Sequence, residues 1–241
     1  GGIDDEAVGD DYEGMTGKEA YGLYGESIAE LQEELGTKII VYSEVDAHVV
    51  GISNPVFETM VLVEYASIGA FFQLAAGIPA EGAAAREAGL LGQWAIPAAT
   101  ISEDDSPLGD GSGCSSWTVD EAVEATGLSE TQVARLFNET EDEPVVIFEL
   151  IRASQSEDLE TYLDTLTNVK NELGARQRWQ GQLFDHVLGS AVPSFELMLV
   201  TEYPSRQCYL TALADDRVTS VSQQRVDGTE VHWIYSGTDL Y

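Results

Sequence analysis

Residues Leu35 to Ser67 and Leu173 to Ser205 are two versions of one sequence, and this limits the possible folds more than any other property of the chain. Aligned at a constant offset of 138 residues with no gap, they are identical at 12 of 33 positions. The identical pairs include Gly36/Gly174, His48/His186, Gly51/Gly189, Pro55/Pro193, Phe57/Phe195, Glu64/Glu202 and Tyr65/Tyr203. A repeat this long marks one structural unit copied and fused, whose copies bury their apolar faces against each other.

The copied unit extends beyond the aligned block. From Thr16 to Leu35, Ala20, Leu23, Tyr24, Ile28, Leu31 and Leu35 recur at three- and four-residue spacings, which predicts an amphipathic helix closed by Gly36. In the second copy Leu159, Tyr162, Leu163, Leu166, Val169 and Leu173 form the same stripe, with Ser156 as N-cap and Gly174 as terminator. Each helix is followed by two runs rich in β-branched and aromatic residues. In copy one these are Thr37 to Val50 and Phe57 to Ala66, joined by a Gly-Ile-Ser-Asn-Pro turn. Helices are expected next at Ser67 to Ala76 and Ser205 to Ala214, with a further helical piece at Ala80 to Ala88. Final strands are expected at Gly92 to Ala98 and Glu230 to Tyr235, where Trp94 and Trp233 hold matching places.

Copy two opens on the apolar run Val145 to Ile151, which reads as a buried strand. Its order is therefore βαββαβ, the ferredoxin-like arrangement. Copy one is expected to have its equivalent strand before Gly1. The resulting division is 1–100 for the first repeat, 101–143 for an acidic linker with a small helical insert at 117–139, and 144–241 for the second repeat. The linker's Ser/Gly/Asp-rich first part reads as flexible. Its second part reads as two short helices capped by Thr118 and Ser129.

The helix with its Tyr, the Leu-Gly exit, a strand ending in Val-x-Gly or Val-Leu-Gly, a strand ending in Glu-Tyr, and a helix with a central aromatic residue together resemble a family of roughly 95-residue domains of unknown function. That family belongs to the dimeric α+β barrel superfamily. The resemblance covers most of 16–100 and 144–236. It implies an α+β fold in which two ferredoxin-like repeats pack sheet against sheet around a central cavity, here within one chain. Relatives in that superfamily include cofactor-free monooxygenases, lactone isomerases and haem-binding enzymes, so the fold does not select a reaction.

Composition excludes several partners. Forty-three acidic residues against 11 basic ones give a formal charge of -32, and only Lys18, Lys38 and Lys170 are lysines. Such a field repels nucleic acid and anionic membrane surfaces, and its self-repulsion is relieved by high salt. The insert has a helix-turn-helix look around Gly127 and Ser129. Residues 101–143 nevertheless carry twelve acidic side chains and one basic one, Arg135, which removes the phosphate contacts DNA binding needs. No apolar run reaches the ~18 residues of a membrane span. A soluble protein is expected, cytoplasmic or exported, in a saline setting. Two cysteines, Cys114 and Cys208, make no disulfide framework, and Cys208, opposite Ala70 of copy one, reads as a small buried side chain.

Candidate chemistry lies on the strands. Alternation places Tyr42, Glu44, Asp46 and His48 on one face of the first copy's second strand, and Gln180, Gln182, Phe184 and His186 on the equivalent face of the other copy. Glu58, Met60, Leu62 and Glu64 share a face, as do Glu196, Met198, Val200 and Glu202. These mixed polar faces suit an interior cavity. Glu64, Glu202, His48 and His186 are candidate acids or bases, with Tyr65, Tyr203, Trp94 and Trp233 as candidate ligand walls. Equally, the glutamates can bond to neighbours at strand ends and the histidines can pack beside the hairpin turns. His48, His186 and His232 are the only histidines and are far apart in sequence, so no metal is expected, and no haem-attachment, phosphate-loop or nucleophile signature suggests a cofactor.

Two functions follow from this reading. One is a cavity that binds, and in an enzymatic version transforms, a small apolar or aromatic molecule. The other is a structural subunit without an active site that self-associates as a homo-oligomer through an exposed sheet edge.

Overall fold

The structure, a computed structural model, describes residues 7–51, 57–90, 92–137, 143–154, 156–189 and 194–240. The fold is α+β, with seven strands and nine α-helices among the described residues. Chain contacts divide it into two compact units. Unit 1 comprises residues 1–42, 58–93 and 240–241, and unit 2 comprises 43–57 and 94–239. The two hairpin turns, including Pro55 and Pro193, lie outside the described residues.

In unit 1, α1 (Gly17–Glu34) starts at a capping box: Thr16 Oγ1 accepts from the Glu19 N–H at 3.2 Å, and the Glu19 carboxylate accepts from the Thr16 N–H at 2.8 Å. It ends where Gly36 adopts φ +65°, a left-handed conformation that costs glycine little. α1 packs against α3 (Ala80–Gly89), and glycines let the backbones close up. A Cβ on Gly89 would lie 2.5 Å from the Gly17 carbonyl oxygen, and one on Gly82 would lie 2.1 Å from Ser27 Oγ. α2 (Ile68–Gly77) is capped by Ser67, whose hydroxyl accepts from the Ala70 N–H at 3.1 Å. Strand β2 (Thr59–Glu64) lies beside β1 (Lys38–Val50).

Unit 2 contains residues 43–50 of β1 together with β3 (Ala98–Glu103), β4 (Val145–Ala153), β5 (Arg176–Leu183), β6 (Leu197–Tyr203) and β7 (Thr229–Asp239), in the order β1-β7-β4-β6-β5-β3. All the pairings along this order are antiparallel. β4 has β6 on one edge and β7 on the other, and both of its faces are covered, which explains why its sequence is an unbroken apolar run: Val145 to Phe148 are each no more than 1% exposed. Val145, Ile147 and Ile151 face α6 (Ser156–Glu172) and α7 (Arg206–Ala214), in a core with Tyr162, Leu166, Val169, Leu199, Tyr203, Tyr209 and Leu210.

Several expectations change. The strand expected at Gly92 to Ala98 instead runs from Ala98 to Glu103, because the β-branched Thr100 and Ile101 follow Pro97, which has no N–H to give to a ladder. β7 runs to Asp239 rather than ending at Tyr235, since Ser236 to Asp239 pair with β1 despite their weak strand propensity. Ser156 is the first helical residue of α6 rather than its N-cap.

The largest correction concerns the region read as a flexible linker. Residues 104–117 form an ordered strap across α6 and α7. Gly109 N–H donates to the Gly174 carbonyl at 2.9 Å, and a Cβ on Gly109 would sit 2.5 Å from Gly174 Cα. Trp117 donates from its indole to Thr211 Oγ1 at 3.0 Å and from its backbone to Gln207 Oε1 at 2.8 Å. The strap is fixed covalently, because Cys114 and Cys208 form a disulfide across a sequence separation of 94 residues. Two cysteines so far apart carry no pairing signal in sequence, since only the fold brings them together.

The insert is likewise not a detached spacer. α4 (Val119–Thr126) and α5 (Glu130–Leu136) begin at capping boxes, Thr118 with Glu121 and Ser129 with Gln132, and are joined through Gly127 at φ +70°. They drive Ala122, Val133 and Leu136, each 0% exposed, into the unit 2 core. Burying a side chain such as Leu136 contributes about 1.5–3 kcal/mol, enough to hold two helices too short to persist alone.

Candidate functional site

The alternation that sorted side chains into faces is broken in β1 and β5 by bulges. In β1 the register shifts between Val45 and Ala47 and again between His48 and Val50, and in β5 between Gln177 and Trp179. Asp46 is therefore an extra residue, and its carboxylate takes an ion pair from Arg206 of α7 and a 3.2 Å hydrogen bond from Thr238. His48 falls opposite Tyr235, on the face of β7 that also carries Trp233 and away from the Ile234 side that meets the helices. Gln180 pairs in register with Leu199 of the helix-facing core, so it and Gln182 do not share the face first assigned to them.

On that second face of unit 2 the aromatic residues of both copies meet. His48 contacts Tyr235 edge to face at 4.6 Å, and Phe57 contacts Tyr235 at 6.3 Å and Trp94 at 4.5 Å. Trp94 stacks with Trp233 at 6.0 Å and receives His186 edge-on at 5.5 Å, and Trp233 also meets Phe195 at 4.9 Å. Ala95 and Leu188 form an isolated bridge that sets the segment carrying Trp94 beside the one carrying His186. Gly51, at φ +78°, accommodates Trp233: a Cβ there would lie 2.2 Å from the indole Cδ1. Thus His48/His186, Phe57/Phe195 and Trp94/Trp233, three matched pairs in sequence, contribute to one cluster.

The histidines are its chemically open members. Nε2 of His48 and Nε2 of His186 are both buried without a hydrogen-bond partner among the described residues. Burial holds His48 below the usual imidazole range, a hydrogen bond to the Phe57 backbone pulls it partly back, and the charge of Arg135 lowers it further. Burial lowers His186 as well, against the opposing charge of Asp185. Both rings are therefore neutral at pH 7 and can accept or donate a hydrogen bond.

The remaining candidates lie elsewhere. Glu202 is ion-paired with Arg176 across the β5–β6 ladder. Tyr203, proposed as a ligand wall, is instead 1% exposed on the helix side against Tyr209 at 5.2 Å, because its alternation phase is that of Leu199 and Thr201. In unit 1, Glu64 is exposed at the end of β2, and Tyr65 packs edge-on against Phe71 at 5.3 Å, with burial raising its phenol. Sequence reasoning did not single out Phe57, Phe195 or Tyr235 for the cluster. The first two were visible as an identical pair in the repeat.

A second polar centre, on the helix side, was also missed. Glu149 in mid β4 is 2% exposed and accepts from Lys170 Nζ at 3.3 Å, while its other oxygen lies 3.1 Å from His232 Nε2. Lys170 also donates to Thr201 Oγ1 at 3.0 Å. Among the described residues no group of three or more His, Cys, Asp or Glu is placed to hold a metal ion, and no helix is long and apolar enough to cross a membrane.

No protein-family model matches the chain, and no curated protein matches it. Among solved structures it is similar to the RPA0582 protein of unknown function from Rhodopseudomonas palustris, at 18% identity over 45% of this chain and 91% of that one, with a TM-score of 0.42. The methylated form of RPA0582 gives 17% identity, 45% and 89% coverage and a TM-score of 0.41.

Proposed function

We propose that this chain binds a small apolar or aromatic molecule at the aromatic cluster of unit 2, with His48 and His186 as the polar contacts. The observation that carries the reading is the pair of buried Nε2 atoms at equivalent repeat positions, unpartnered among the described residues and set among packed aromatic rings. A buried polar atom left without a partner costs about 1–3 kcal/mol, a cost that a bound molecule with a matching polar group removes. Sites of this kind are mostly apolar with a few convergent polar groups.

The architecture supporting it is a pair of ferredoxin-like repeats that complete one another within the chain. The second repeat has the strand order β7-β4-β6-β5. The last strand of each repeat pairs with the second strand of the other, β3 with β5 and β7 with β1. That reciprocity follows the 138-residue sequence repeat and brings matched residues together, as expected for an intrachain α+β barrel.

Calorimetric titration in molar KCl with neutral two-ring aromatic compounds tests the function. Saturable binding that weakens at least tenfold in Trp94→Leu, with folding intact by circular dichroism, is the expected result. Heats that never saturate, or binding indifferent to Trp94→Leu, would overturn it.

A second reading, self-association through a sheet edge, is favoured by β3. That strand ends the order in unit 2, pairs only with β5 among the described residues, and has all six residues exposed, Ile101 at 58%. Sedimentation of the wild type and of Ile101→Lys at high salt separates the two readings. A wild-type oligomer that the charge dissolves is required by the second.

A further inference from the structure

Strand β2 of unit 1 is the repeat counterpart of β6, yet among the described residues only one of its edges is paired. β6 lies between β5 and β4, whereas β2 ends the strand order beside β1. At the 138-residue offset the counterpart of β4 residues 145–151 is 7–13, and there Val-Val-Ile-Phe-Glu-Leu-Ile is replaced by Ala-Val-Gly-Asp-Asp-Tyr-Glu. Gly and Asp are poor strand formers, and Asp10–Tyr12 is a 3-10 helix instead. This segment is engaged elsewhere in unit 1. The Ala7 N–H donates to the Met15 carbonyl at 2.8 Å and the Val8 N–H to the Ala88 carbonyl at 3.0 Å, and Ala7 is buried with Ala20 of α1 and Ala88 of α3. Among the described residues nothing therefore takes the place beside β2 that β4 takes beside β6.

The side chains record the same difference. Val61 of β2 is 43% exposed where its counterpart Leu199 is 3% exposed, and Phe72 of α2 is 61% exposed where its counterpart Leu210 is fully buried. Leu199 and Leu210 share one core with Val145, Ile147 and Ile151 of β4. We propose that the open edge of β2 docks an extended apolar segment of a partner protein, which runs antiparallel to β2 as β4 runs antiparallel to β6, and which covers Val61 and Phe72. Main-chain hydrogen bonds to the edge give such a strand its affinity, and the uncovered apolar side chains give it selectivity. Charge disfavours a second copy of this chain as the occupant. Pairing β2 with β2 would bring together two exposed Glu64 side chains and two chains of formal charge -32. An apolar strand with basic residues at its ends gains from the same field. The edge belongs to unit 1, whereas the aromatic cluster and β3 belong to unit 2, so neither reading proposed above depends on it.

The probe is a synthetic peptide carrying the sequence of Val145 to Ile151 between pairs of lysines, added to the full chain in molar KCl. Amide hydrogen exchange over Thr59–Glu64 should slow at least about tenfold with this peptide. It should not change with the same peptide methylated on its backbone nitrogens, which keeps the side chains and charge but has no N–H to complete a ladder. Val61→Lys, with folding intact by circular dichroism, should weaken peptide binding at least about tenfold. The exchange comparison uses the unmutated chain and decides the matter even where that variant does not fold. Exchange indifferent to the peptide, or slowed equally by the methylated one, overturns the proposal. Slowing confined to Ala98–Glu103 places the peptide on β3 and overturns it too. Exchange over Thr59–Glu64 that is already slow without peptide also overturns it: relief on dilution assigns the edge to a second copy, and no relief assigns it to a segment of the same chain.

Discussion

Lys170 is one of only three lysines in the chain, and it is 3% exposed. Replacing it with Met, of similar length and without charge, would leave the Glu149 carboxylate buried with only His232 and no cation beside it. Burial works to raise the Glu149 carboxyl, but the charge of Lys170 and the His232 hydrogen bond more than reverse that and hold it at about 2, from an ordinary 4.5. At about 1.4 kcal/mol per tenfold change in proton affinity, that difference is about 3 kcal/mol in favour of the charged form. Removing one partner of a buried ion pair typically costs about 3–5 kcal/mol, so Lys170→Met should lose about 3 kcal/mol at pH 7. The double variant Lys170→Met with Glu149→Leu should recover most of it, because no uncompensated charge remains. The pH dependence has a definite sign. In the wild type Glu149 is depressed, so its contribution is present above about 4.5 and lost as pH falls toward 2. In Lys170→Met burial is no longer opposed by that charge, Glu149 takes up a proton at higher pH, and the gap between variant and wild type narrows on acidification. Urea unfolding followed by circular dichroism in molar KCl, at pH 7 and pH 5, measures both quantities. A loss below about 1 kcal/mol that does not change with pH would mean that water reaches the pair, and would refute the buried-charge argument.

Reduction of the Cys114–Cys208 bond should release the strap and lower unfolding stability by about 2–5 kcal/mol, as expected for a crosslink closing a long loop. Identical urea midpoints with and without reductant would show that the non-covalent contacts of Gly109 and Trp117 suffice. Dilution from molar KCl to about 10 mM should lower the melting temperature, because the Debye length lengthens to about 30 Å and the surface carboxylates repel across the molecule. Unchanged melting over that range would refute salt adaptation as the meaning of the acidic composition.

Helices were the most legible elements, because their signals are local. The Thr118–Glu121 and Ser129–Gln132 capping boxes, the Ser67 cap and the Gly36 and Gly174 terminators each lie within a few residues of the backbone they satisfy. Strand identity was legible where burial on both faces demanded it, as in Val145 to Ile151, and failed where pairing came from a distant segment, as in Ser236 to Asp239. Facing was the weakest inference. Period-two alternation holds until one bulge inserts a residue, and the bulge between Val45 and Ala47 in β1 separated Asp46 from His48, which strict alternation would have kept together. The disulfide and the Glu149–Lys170–His232 centre were invisible for a shared reason: their members are separated by 94, 21 and 83 residues, and nothing local requires them.

The repeat itself shows how to divide structural from functional identity. A residue kept in both copies because the fold needs it should serve each copy alone, in its own surroundings. Glu64 and Glu202 do not behave as a pair, since one is exposed and the other is matched to Arg176. Tyr65 and Tyr203 each pack against the aromatic residue of their own following helix, Phe71 and Tyr209, which is the pattern of a local packing requirement. His48/His186 and Trp94/Trp233 depart from that pattern, because their members reach across the repeat boundary into one cluster, whereas Phe57 and Phe195 each pack on the tryptophan of their own copy. A local packing rule does not require convergence of equivalent residues, whereas one shared site does. The costs should be unequal: Tyr203→Phe should change ligand affinity little, while Trp94→Leu and His48→Phe should change it without matching losses in unfolding stability.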